Sequence, residues 1–189
     1  MRFEYENQKD SRLKLKSGAI LAGEISKTSP EEACQLCEEV LIQLDSNTTI
    51  EFTKLQKLKV STLIRYAISL RHVGDIDNAI KQLLKGLTIS EKYDLKESQL
   101  HCLGNLASIY KDQSMLEEAL FYNRACLKLA VNMGDTYATS IYSGNLGNSL
   151  KQTDMDSALY YFRFSAYNES RKESMLDRDV CKPGFQRNW

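Results

Sequence analysis

The sequence predicts an all-α protein, an α-solenoid of about four helix-turn-helix units, and three observations carry that prediction. Three stretches superpose at a step of about forty residues: Tyr66-Ala67 with Leu70 and Ala79, Leu106-Ala107 with Tyr110 and Ala119, and Leu146-Gly147 with Leu150 and Ala158. Only two prolines and nine glycines occur in 189 residues, which favours long helices over a turn-rich sandwich or barrel. The apolar residues of each stretch recur at helical spacing. A unit of this kind cannot bury its apolar face alone, so neighbours must stack into a continuous core with one open, concave side.

The first unit is the most divergent. Leu21-Ala22 and Ile25 match the first stripe, and Ala33, Cys37, Val40 and Leu44 the second. Between them Ser29-Pro30-Glu31-Glu32 reads as a firm helix start, with a Ser cap, Pro at the first helical position and acids in the first turn. The step from Ala22 to Ala67 exceeds forty, and the surplus falls in the polar run Asp45 to Thr49, predicting a longer loop or a longer helix. In the second unit Gly74 can close a helix in the left-handed conformation, and Asp75 or Asp77 can cap the next.

The third unit is the best formed. Leu103, Leu106, Ala107 and Tyr110 define one stripe, and Ala119, Leu120, Cys126, Leu127 and Ala130 a second. Small residues at 107 and 119 allow close approach of the backbones, while Tyr110 fills the space between them. Ser114-Met-Leu-Glu117 has the pattern of a capping box and predicts that the next helix starts there. Gly134-Asp135 separates the third unit from the fourth. The fourth unit's second helix is predicted over about 155–170; Ala158, Phe162 and Ser165 take core places, leaving Tyr160, Tyr161 and Phe164 for a neighbour or partner. Three segments result: an extension over 1–12, the repeats over 13–170, and a tail over 171–189 that is either disordered or a partial cap.

The Leu-Ala/Gly, aromatic-or-Leu and Ala positions resemble those of the tetratricopeptide repeat over about residues 13–170. Leu103-Gly-Asn-Leu-Ala107 and Gly144-Asn-Leu-Gly-Asn148 are similar to the long-period repeats of Pins/LGN-type adaptors and kinesin light chains. The resemblance implies a right-handed superhelix whose first helices line a groove for an extended peptide or a partner helix, and it implies no catalysis. Departures are the missing Asn-Leu-Gly string in the first unit and Gly86 where a small or apolar side chain is usual in the second unit's second helix.

If the Leu-Ala/Gly stripe faces the core, a second face of each first helix lines the groove. It holds Arg65, Ile68, Arg71 and His72; then Asn105, Ser108, Lys111 and Asp112; then Asn145, Asn148, Lys151 and Gln152. Asn can grip the backbone of a peptide of any sequence, and Lys or Arg attracts carboxylate or phosphate, so an acidic or C-terminal peptide is the expected ligand class. Any exposed helix carries Lys and Asn; recurrence at equivalent places is the argument, and the peptide-binding residues it selects are Arg65, Arg71, Asn105, Lys111, Asn145, Asn148 and Lys151. Asn105, Asn148, Arg65 and the lysines resemble parts of a clamp for a terminal carboxylate, without its spacing.

Composition excludes other classes. Equal numbers of basic and acidic residues, 25 of each, give no bulk attraction to nucleic acid or to an anionic membrane. The polar start Met1 to Asp10 lacks the apolar region of a secretory signal, and no run reaches a membrane span, so a cytoplasmic protein is expected. Five cysteines at loose spacing suggest reduced thiols. Cys34-Gln-Leu-Cys37 lacks the second ligand pair of a zinc site and any preceding strand, so buried thiols are preferred to metal or redox chemistry. Asn47-Thr-Thr49 and Asn168-Glu-Ser170 match the glycosylation pattern by chance in that setting. Neither His72 nor His101 sits in a nucleophile arrangement, and no phosphate-cradling loop occurs.

The expectation is a non-enzymatic scaffold or adaptor without cofactor or metal, binding protein or peptide and self-associating through its C-terminal edge. The competing readings are a regulatory or sensory module of a larger signalling or transcription system, and a truncated isoform.

Overall fold

In the computed structural model residues 11–47 and 50–173 are described, and they form eight helices and no strand. These are α1 (Ser11–Ile25), α2 (Pro30–Asp45), α3 (Phe52–Val73), α4 (Ile76–Lys92), α5 (Lys96–Asp112), α6 (Leu116–Met133), α7 (Thr136–Leu150) and α8 (Met155–Glu173). They pair as four hairpins, the number read from the sequence. Residues 1–10, the sequon residues Thr48 and Thr49, and most of the tail, with Cys181, lie outside the described residues.

The turns explain the period. Gly74, Asp94, Ser114 and Gly134 all have positive φ, at 91°, 52°, 60° and 69°, and they stand twenty residues apart. After each of them the next amide bonds five residues back, Asp75 to Leu70, Leu95 to Ser90, Met115 to Tyr110 and Asp135 to Ala130, at 2.8–3.0 Å. This is the Schellman closure, which satisfies the last carbonyls of one helix and starts the next within two residues. The forty-residue repeat is therefore two twenty-residue helix-and-turn steps.

One sequence expectation holds at these turns: of Asp75 and Asp77, it is Asp75 that caps α4, by accepting from the Asn78 amide. Asp135 caps α7 in the same way, accepting from the Ala138 amide at 2.9 Å. Two others are corrected. Ser114 is not the cap of α6 but the left-handed residue that closes α5, so its side chain cannot take the capping-box position. Ser29 stands at the N-cap of α2 with Pro30 behind it, at φ and ψ of −143° and 68°, yet its hydroxyl makes no capping bond. The surplus between the first two units goes both into the 46–51 connection, where the Asn47 side chain accepts from the Ile50 amide at 2.9 Å, and into a 22-residue α3.

The described chain falls into two compact units divided within α6, one up to Leu129 and one from Ala130. In the first, α3 packs beside both α1 and α5, the first helices of the neighbouring hairpins. Leu15, Ala19, Ala22, Cys37, Val40 and Leu44 form one buried cluster, and Ala67, Leu70, Ala79, Leu83, Leu106 and Ile109 another. Tyr66 packs against both. The Tyr110 and Tyr122 rings stack with centroids 5.4 Å apart, the filling role expected of Tyr110.

In the second unit α7 and α8 approach closely at Gly147, where a Cβ would fall 2.7 Å from the Phe162 ring. That explains glycine where the preceding units have Ala67 and Ala107. Ser140 and Ser165 hydrogen-bond across the same interface. Gly86 in the first unit has a similar cause, since a Cβ there would stand 3.1 Å from the Cys102 sulfur.

Because L-residues with side chains are strained in the left-handed conformation, Ser114→Gly and Asp94→Gly should each stabilise the fold by about 0.5–1 kcal/mol. Urea unfolding of the two variants measures this; unchanged or lowered midpoints would contradict the closure described for these turns.

Candidate functional site

The candidate site is the outer face of the first helices, and the structure sorts its residues into three groups. On α3, Arg71 is engaged. Its guanidinium pairs with Asp112 of α5 and donates to the Ser108 hydroxyl at 3.3 Å, linking two of the predicted faces to each other. Half-exposed pairs of this kind contribute about 1 kcal/mol or less. They fix the register of neighbouring helices, and here they give Arg71 a partner within the fold.

Arg65 points the other way, towards α1. A Cβ on Gly23 would lie 2.1 Å from Arg65 Nη1 and 3.2 Å from Cζ, so Nη1 fills the space that a side chain on α1 would otherwise take. Arg65 is partly buried, and its Nε is buried without a hydrogen-bond partner. On α5, Asn105 is partly buried and its amide donates to the His101 carbonyl at 2.8 Å, while Lys111 and His101 are exposed. Ile68 and Ser108 are partly buried, and His72 is exposed.

In the second unit Asn145, Asn148, Lys151 and Gln152 are all exposed on or just beyond α7. The same helix face continues through Ile141 and Tyr137, 40% and 59% exposed. These two were missed in the sequence because the face was extended only towards the C-terminus of the Leu-Gly pair. Spacing from 137 through 141 and 145 to 148 was the available signal, since steps of four, four and three residues stay on one side of a helix.

The C-terminal edge differs from expectation at one residue. Tyr161 is buried at 8% exposure, with its ring edge-on to Tyr160 at 5.3 Å, rather than left for a neighbour. Met155, Leu159, Tyr160 and Tyr167 remain 41–57% exposed, and Tyr160 stacks on the partly buried Phe164. Asn168 of the second sequon is buried and donates to the Phe164 carbonyl at 2.7 Å, a position closed to glycan attachment.

The Cys34-Cys37 pair lies within α2. Burial, with Cys34 adding, pushes the Cys37 thiol up to about 12, and burial together with Glu38, Glu31 and Asp75 raises that of Cys34. A thiol held protonated is a poor nucleophile and a poor metal ligand. Among the described residues no group of three or more His, Cys, Asp or Glu side chains could hold a metal ion.

A family model for the tetratricopeptide repeat matches residues 59–132, which run from within α3 to the end of α6. Across that span the chain matches the tetratricopeptide repeat. The turns at Gly74, Asp94 and Ser114 all lie inside the matched repeats. A crystal structure of BtubC (BKLC) from P. vanneervenii is similar to this chain with a TM-score of 0.54 at 15% identity, covering 100% of this chain and 92% of that one. At that identity the likeness is one of fold alone. No curated protein matches this chain. Among the described residues no helix is long and apolar enough to cross a membrane.

The buried thiols make a pH prediction. Cys37 and Cys102 are both pushed by burial to about 12 from an ordinary 9.0, so the folded state holds a proton that the unfolded chain releases. Their contribution is whole below pH 9 and falls as pH rises from 9 towards 12, at about 1.4 kcal/mol per pH unit for each thiol. Urea unfolding at a series of pH values from 8 to 10.5 should show this decline, and a Cys37→Ala/Cys102→Ala variant should flatten it.

Proposed function

We propose that this protein is a non-enzymatic scaffold of the cytoplasm that binds an extended peptide along the exposed faces of its first helices. Tetratricopeptide repeats generally mediate protein–protein interactions, and the observation that carries the reading here is the recurrence of asparagine on those faces. Asn105 and Asn145 occupy equivalent places in successive units, Asn148 follows on the same helix as Asn145, and Asn145 and Asn148 are exposed. An amide side chain offers both donor and acceptor to a peptide backbone, which gives grip without sequence selectivity, and Arg65, Lys111 and Lys151 add attraction for acidic side chains. Arg71 is set apart from this group because Asp112 already holds it. Tyr137 and Ile141 would add apolar contact beside the asparagines of α7.

Replacing Asn105, Asn145 and Lys111 together by alanine tests the reading. In affinity capture from the native source the triple variant should lose partners that the unaltered chain retains, with a thermal midpoint within a few degrees of it. An identical set of captured proteins would refute the proposal.

A second reading is favoured by a separate observation, the exposed apolar side chains of α8. Met155, Leu159, Tyr160 and Tyr167 lie open on the last helix, and apolar surface of this kind marks an interaction site in many soluble proteins. Self-association through this edge predicts a concentration-dependent sedimentation coefficient that Leu159→Lys/Tyr160→Lys abolishes. A coefficient constant with concentration would remove this second reading.

A further inference from the structure

Helix α8 is buried along one side only. Ala158, Tyr161 and Asn168 are buried, Phe162 lies against Gly147, and Ser165 bonds to Ser140, so this side is committed to packing within the hairpin. The opposite side carries Asp156, Tyr160, Arg163 and Tyr167, all exposed, at steps of four, three and four residues that keep them on one stripe. Leu159 and Met155, 44% and 57% exposed, flank it.

The charges on the stripe indicate what covers it. Asp156 and Arg163 stand two turns apart, about 10 Å along the axis, and among the described residues neither has an ion-pair partner. One end of this segment is negative and the other positive, with Leu159 and Tyr160 midway. Such a stripe is complementary to itself when reversed. Laid antiparallel about a two-fold axis at Leu159 and Tyr160, two α8 helices set each Asp156 against Arg163 of the other copy. Laid parallel, they set Asp156 on Asp156 and Arg163 on Arg163, which repels at both ends.

We infer that the exposed face of α8 receives a second copy of this chain, as an antiparallel, two-fold pair of α8 helices with Leu159 and Tyr160 at its centre and two Asp156–Arg163 ion pairs across it. This rests on the self-association reading above and adds to it an orientation, a register and a stoichiometry. A two-fold contact uses the same surface on both copies and closes at a dimer, whereas a head-to-tail contact leaves a surface unused and goes on growing. The apolar centre supplies attraction, and the charges select the orientation. A single helix face is smaller than the roughly 800 Å² per partner of a standard stable interface, so a micromolar dissociation constant is expected.

The test is sedimentation velocity of the full chain at low ionic strength, from about 1 to about 200 μM. Asp156→Arg and Arg163→Asp each put like charges at both contacts, and each should raise the dimer dissociation constant about tenfold. The double reversal Asp156→Arg/Arg163→Asp exchanges the signs and should return it to within about threefold of the unaltered chain. An equimolar mixture of the two single variants should dimerise like the unaltered chain, since each supplies the charge that the other lacks. Only variant protein is present in that mixture, so its recovery shows that both variants are folded. Raising the salt to about 0.5 M should shrink the tenfold differences.

Antiparallel pairing is overturned if either single reversal dimerises as tightly as the unaltered chain, or if the double reversal stays as weak as the singles. Species larger than a dimer that accumulate with concentration also overturn it, by assigning the face to head-to-tail growth. Association that survives every charge reversal but is lost in Leu159→Lys/Tyr160→Lys leaves self-association through α8 standing and removes this orientation alone. A chain that stays monomeric up to about 200 μM removes both.

Discussion

A helix can reverse direction within two residues only if its last carbonyls find donors at once, and that requires one residue with positive φ. The remainder of this architecture depends on that constraint. It is met at Gly74, Asp94, Ser114 and Gly134, so each helix between those turns has the same length of chain to spend. Equal helices bring equivalent side chains to equivalent heights, and this lets Tyr110 stack on Tyr122 and Arg71 reach Asp112. At the last turn, between α7 and α8, no described residue has positive φ; the Asp154 amide bonds to Leu150 instead, and Asp154 accepts from the Ser157 amide at 3.1 Å. There the repeat slips by one residue, from Ala119 to Ala158.

Much of the core was legible because it rests on two local properties, helical spacing and side-chain size. Leu106, Ala107, Ala119, Cys126 and Ala130 are buried where the stripes placed them, and Gly74 and Gly134 close helices as their lack of a Cβ suggests. Ser114 was misread because Ser-x-x-Glu is compatible with two structures, a capping box and a left-handed closure one residue before the next helix. A Gly would have resolved that ambiguity; Ser and Asp leave it to the five-residue hydrogen bond, which sequence does not display. Tyr161 was misplaced because only the four-residue step from Ala158 to Phe162 was followed; Tyr161, three residues after Ala158, lies on the same side of the helix.

The candidate site was legible as a set of positions but not as a set of interactions. Stepping from the core stripe selects a face, and the asparagines on it are exposed or partly so. Which cations on it are open depends on what the neighbouring helix offers: Arg71 and Asp112 are forty-one residues apart, one repeat and one residue, and they cancel. Arg65 meets a glycine. Residue type alone made these two arginines equivalent, and packing makes them opposites.

Tyr66 has a wider effect than its size suggests. Its ring belongs to both buried clusters of the first unit, and its hydroxyl donates to the Glu38 carboxylate of α2. In a linear array each hairpin could otherwise open on its own, with a free energy set only by its nearest neighbour. A side chain shared between clusters makes the first hairpin and the second a single cooperative block, so fraying from the N-terminal side must expose both cores together, and slow amide exchange should extend from α1 through α4 as one foldon.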